Sequence, residues 1–176
     1  KTAKAVDMTT ITLYIIKADG YVLAVDKIVT ESLKKGPLVY VTASKPYVWL
    51  KRHLSGMGID ESRVFFIDCS TGKADDKTRA EPSNVLSLDG PQNLTSLSIA
   101  IGKAITRVSP NGTLFLDSLS VLSLYNDVGT VSKFANFLFT RLRSLEVSAV
   151  VLGIEVPSGM LLIDEISALA DEVKRA

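Results

Sequence analysis

The chain has 176 residues, of which 47% are hydrophobic and 22% charged, enough apolar content for a packed core and too much for a disordered chain. With 20 basic residues against 19 acidic ones, the net charge of +1 gives no electrostatic reason for nucleic acid or an anionic membrane as the main partner. One cysteine, Cys69, and one histidine, His53, exclude an internal disulfide framework and any Cys- or His-rich metal site.

No run of residues approaches the roughly 18 consecutive apolar positions of a membrane helix. The stretch Lys1 to Thr10 lacks the apolar centre of a signal peptide, and the two glycosylation sequons at Asn93 and Asn111 read as chance. A reducing, cytoplasmic setting is therefore expected. The first residue is Lys1 and not Met, so the sequence reads as part of a longer protein, here folded as a single domain over residues 1–176.

Apolar residues come in short continuous runs separated by amphipathic stretches, the pattern of a parallel sheet covered by helices. Ile11 to Ile16 is the first expected strand, Ala18-Asp19-Gly20 a turn, and Tyr21 to Lys35 a helix burying Val22, Val25, Val29 and Leu33. Gly36-Pro37 stops it, and Leu38 to Thr42 is the second strand. Ser44-Lys45-Pro46 opens a helix to about Ser55, with Val48, Leu50 and Leu54 facing inward. Val64 to Asp68 is the third strand. The polar stretch Ser70 to Asn84 has no periodicity and reads as a long functional loop or a partly disordered one.

Val85 to Leu88 is a short strand and Leu94 to Val108 a helix with Leu97, Ile101, Ala104 and Ile105 on one side. After the turn Ser109 to Gly112 comes the strand Thr113 to Asp117. Val131 to Leu145 is a helix whose inner face carries Phe134, Phe137, Leu138, Leu142 and Leu145, while Phe139 and Trp49 point elsewhere. Ala149 to Val156 is a strand, and Met160 to Val173 a closing helix. This alternation predicts an open, mostly parallel α/β sheet with right-handed crossovers, layered α/β/α.

Ligands of such sheets bind at the carboxyl ends of the strands, where two acids stand, Asp68 and Asp117. An apolar strand ending in Asp is how phosphate-binding ATPases hold Mg²⁺, and it is also how an acid caps the next turn. The ordered series Leu114 to Ser120, then Tyr125-Asn126-Asp127, the helix Phe134 to Arg143 and the strand Val147 to Ile154 resembles the RecA/KaiC-like ATPases. So do Leu38 to Thr42 through Gly58-Ile59-Asp60, Phe65 to Asp68, and the closing Leu169-Ala170-Asp171-Glu172-Val173. The resemblance runs from Ile11 to Val173 and implies a RecA-like fold. It makes Asp117, with Ser118 beside it, the counterpart of the Mg²⁺-binding acid, and Asp68 and Lys45 secondary candidates.

The departures weigh against hydrolysis. The family binds nucleotide with Gly-x-x-x-x-Gly-Lys-Ser/Thr after the first strand, whose glycines let backbone N–H groups wrap the phosphates. Here that place reads Lys17-Ala18-Asp19-Gly20-Tyr21-Val22-Leu23-Ala24, with one glycine and an acid where phosphate would sit. Ser70-Thr71-Gly72-Lys73-Ala74 contains Gly-Lys but lacks the first glycine and the Ser or Thr, and it follows the wrong strand. After the second strand, where the family's catalytic glutamate stands, the chain has Ala43-Ser44-Lys45-Pro46. His53 lies mid-helix, away from the strand ends, and reads as a surface or packing residue. Cys69 has no base to activate it and reads as structural. The basic clusters Lys51-Arg52-His53 and Arg141-Leu142-Arg143 read as solvated helix faces.

The expectation is a pseudo-ATPase: a non-catalytic interaction or regulatory module without cofactor or metal, binding a protein partner or further copies of itself. Its expected contact surfaces are the Ala18 to Leu23 loop and the Ser70 to Asn84 loop. The alternative is a nucleotide-binding protein or weak ATPase holding Mg-ATP in an unconventional site built on Asp117 with Lys45 or Lys73.

Overall fold

A computed structural model describes residues 9–70 and 82–176. Among the described residues, seven strands form one sheet: β1 (Ile11–Lys17), β2 (Leu38–Thr42), β3 (Val64–Asp68), β4 (Val85–Ser87), β5 (Thr113–Asp117), β6 (Ser148–Glu155) and β7 (Glu172–Arg175). Their spatial order is β4-β3-β2-β5-β6-β1-β7, and every pairing is parallel. Strands buried on both faces read as unbroken apolar runs, which is why β2 and β5 are buried at all five positions. The expected layered α/β/α architecture is present, with a sheet that is parallel throughout.

The helices are α1 (Tyr21–Lys35), α2 (Tyr47–Gly56), α3 (Leu94–Val108), α4 (Leu119–Leu122), α5 (Val128–Ser144) and α6 (Met160–Leu169). Helices α1 and α2 cover one face, where Val25, Val29, Leu33, Leu50 and Leu54 pack on Leu38, Tyr40, Phe66 and Phe115. The other four cover the opposite face, packing on Leu13, Val39, Leu116 and Val151. Right-handed crossovers dictate this division, because connections that step one way along the sheet lie on one face and return steps on the other.

Several expectations are corrected. Val22 and Val48 are exposed, at 45% and 52%, while Ile28 takes a buried place on α1. Pro46 is the N-cap of α2 and precedes the helix. On α5 the two phenylalanines are exchanged: Phe139 is fully buried and Phe137 is 59% exposed, as is much of Leu145. The reason is angular. With Val131 and Leu142 at the centre of the buried stripe, Phe139 lies about 80° from Val131 around the helix and Phe137 about 120° on the other side. The closing helix ends at Leu169, and Glu172–Arg175 is the edge strand β7 beside β1. Two side chains fix that switch, since Asp171 accepts from the Ile11 N–H at 2.8 Å and from Arg143 at 2.9 Å. Most of the Ser70 to Asn84 loop, Lys73 included, falls outside the described residues. No described helix is long and apolar enough to cross a membrane.

Candidate functional site

Connections leave β2 and β5, neighbours in the sheet, toward opposite faces, so a crevice opens at their carboxyl ends. Thr42 ends β2, and the sheet register sets Asp117 on one side of it and Asp68 on the other. The two acids are therefore two strand spacings apart, roughly 10 Å between backbones. Each is engaged by its own set of partners.

Asp68 holds backbone in place. Its Oδ2 accepts from the Tyr47 N–H at 2.7 Å, at the start of α2, and its Oδ1 accepts from the Ser70 N–H and hydroxyl at 2.9 and 2.7 Å. The first turn of a helix leaves N–H groups without intrahelical partners, and this carboxylate supplies one.

Asp117 is fully buried, and both of its oxygens are occupied. The Tyr40 hydroxyl donates to Oδ2 at 2.9 Å, and the Tyr21 hydroxyl donates to Oδ1. Burial pushes the Asp117 carboxyl up to about 7, because the charged form loses its water. Tyr21 reaches this position because β1 passes into α1 through a single three-residue turn, Ala18–Gly20, which makes Tyr21 the first residue of α1. A phosphate-wrapping loop would have to occupy that same stretch. Ser118 is also buried, and its hydroxyl accepts from the Val121 N–H at 3.2 Å as the N-cap of α4.

Lys45 lies beside these groups and not on the acid. Its ammonium sits 5.1 Å from the ring centre of Tyr21 and 4.9 Å from that of Trp49, and partial burial lowers its pKa, with Asp26 acting in the opposite sense. Trp49 in turn stacks on His53 with centroids 4.7 Å apart, and His53 Nε2 lies 2.7 Å from Asp26 Oδ1. This arrangement ties α1 to α2, so His53 is a packing residue as expected. Cys69 is buried with its thiol on the Thr42 carbonyl at 3.1 Å, and burial raises its pKa to about 12, which leaves it unreactive. Among the described residues no three His, Cys, Asp or Glu side chains gather into a metal site.

Sequence reading found Asp117, Ser118, Asp68 and Lys45 at strand ends; the structure sets Asp117 and Ser118 at the end of β5 and Lys45 just after β2, and Asp68 at the end of β3 on the other side of β2. It missed Tyr21 and Tyr40, the two groups that contact Asp117. The available signal was Tyr40 inside the apolar strand Leu38–Thr42, since a buried tyrosine hydroxyl requires a polar partner. Which acid would serve depends on strand order, which the sequence does not spell out.

Comparison with known proteins fits this geometry. The sequence profile of a family of unknown function, DUF7504, matches residues 28–173. The chain belongs to this family. No curated protein matches it significantly. Among solved structures, the KaiC-like protein PH0186 from the hyperthermophilic archaeon Pyrococcus horikoshii OT3 superposes with a TM-score of 0.64 at 16% identity, covering 94% of this chain and 70% of that one. This DUF7504 member therefore has a RecA/KaiC-like fold.

Proposed function

We propose that this chain is a RecA/KaiC-like domain that has given up nucleotide chemistry and serves as a non-catalytic interaction or regulatory module. The observation that carries this reading is the closure of Asp117 by Tyr21 and Tyr40. An acid that is to hold Mg²⁺ on a nucleotide needs its oxygens turned to the ion, and here both accept from hydroxyls inside the core. The glycine-poor segment Lys17 to Ala24 supports the same reading, since it offers neither the backbone cradle nor the lysine that phosphates require. The residues present do not fit Mg-ATP.

An apolar surface at the same end of the molecule supports a protein partner. Val22 and Leu23 of α1 are 45% and 80% exposed, and Val48 and Trp49 of α2 are 52% and 41% exposed. Val22 and Trp49 line one crevice with Lys45, Asp26 and His53, so exposed apolar side chains border a polar cleft between α1 and α2.

A thermal melt with and without millimolar Mg-ATP tests the proposal. A ligand at about 100 times its Kd stabilises the native state by about 2.7 kcal/mol, a shift of several degrees for a chain of this size. No shift is expected. A clear shift would favour the alternative, a nucleotide-binding protein with an unconventional site.

A further inference from the structure

The outer edge of β7 carries a sequence that complements itself. Read in opposite directions about Val173, the segment Asp171-Glu172-Val173-Lys174-Arg175 sets Glu172 against Lys174 and Asp171 against Arg175. All four residues of β7 are exposed, Val173 among them at 45%, and among the described residues β7 is the last strand of the sheet on that side.

We propose that β7 pairs antiparallel with β7 of a second copy about a two-fold axis at Val173, joining the two sheets edge to edge. Backbone direction agrees with that axis. The Ala176 N–H donates inward to the Ile15 carbonyl at 3.1 Å, so alternation turns the Val173 N–H and carbonyl to the open side. Val173 of each copy then exchanges both backbone hydrogen bonds with Val173 of the other. Glu172 falls opposite Lys174 of the second copy at the closer, non-hydrogen-bonded position, where cross-strand side chains interact most strongly.

Face matching holds as well. Glu172 and Lys174 share one sheet face, as their 3.0 Å ion pair within the chain requires, and Val173 is on the other. A two-fold axis normal to the sheet keeps each set on its own side. In the pair of copies Glu172 and Lys174 exchange their intrachain contact for two symmetric ones across the junction. Arg175 keeps Glu155 at 2.9 Å and Asp171 keeps Arg143, so the specificity rests on Glu172 and Lys174. The proposal is independent of whether the Asp117 crevice takes nucleotide.

Charge exchange at this edge gives the test, with mass measured by light scattering after size exclusion over a concentration series at low salt. The wild-type chain is expected to dimerise. E172K alone opposes lysines and K174E alone opposes glutamates, and each is expected to weaken the dimer about tenfold or more. An equimolar mixture of the two variants restores both pairs and is expected to recover the dimer, as is the double variant E172K/K174E. Circular dichroism melts confirm that each variant is folded. A wild-type chain that stays monomeric, single variants that dimerise like wild type, or a mixture that fails to recover the dimer would each overturn the proposal.

Discussion

Replacing Asp117 by Asn removes the fully buried carboxyl at the end of β5, and its effect on stability has a definite sign. In the unfolded chain an aspartate titrates near 3.9, whereas burial holds Asp117 at about 7 in the folded protein. The native state therefore binds the proton more tightly. The stability this group allows is fully present below about pH 4, declines as the pH rises through 7, and is flat above that. Three units at about 1.36 kcal/mol each put the loss at no more than about 4 kcal/mol. The amide of the variant carries no charge and escapes that loss, but it serves the hydroxyls of Tyr21 and Tyr40 less well, at about 1 kcal/mol. At pH 8 the variant should be more stable by up to about 3 kcal/mol, a rise in Tm of roughly 6–12 °C. At pH 4.5 it should be slightly less stable than wild type. Circular dichroism melts of both proteins across that range should give curves that cross. Parallel curves, or a variant destabilised at both ends, would refute a buried carboxyl held by two tyrosines.

Tyr21→Phe removes one donor to the same carboxyl, and urea unfolding should show a loss of about 1–2 kcal/mol, larger at pH 8 than at pH 5 because the ionised acid uses the bond more. Asp68→Ala leaves the Tyr47 N–H and the Ser70 groups without their acceptor, and should cost about 1–2 kcal/mol by the same measurement. Gly36→Ala would put a Cβ 2.0 Å from the Asn111 carbonyl oxygen. Because that neighbour is backbone, the substitution should cost about 3 kcal/mol, and an unchanged Tm would disprove the close approach.

The parts of the fold legible in the sequence were those decided locally. Strands β2, β3 and β5 are short apolar runs bounded by turn residues, and α1 and α3 carry strong stripes, so their limits matched residue for residue. The parts misread were decided by neighbours. Glu172–Arg175 has one apolar residue, and it is a strand because β1 offers a free edge and Asp171 turns the chain onto it. Phe137 and Phe139 are two positions apart on one helix, and which of them is buried depends on where the buried stripe through Val131 and Leu142 is centred. The acids at strand ends were visible by type and place. Their hydroxyl partners were not, because Tyr21, Tyr40 and Asp117 lie 96 and 77 positions apart in sequence and meet only through strand order.

Isothermal titration of the wild-type chain with Mg-ATP to millimolar concentration, with Asp117→Asn beside it, tests the central claim most directly. Closure of Asp117 by Tyr21 and Tyr40 predicts no saturable heat in either protein. Saturable binding by the wild-type chain that disappears in Asp117→Asn would mean that the acid turns to a metal-bound nucleotide, and would contradict the account.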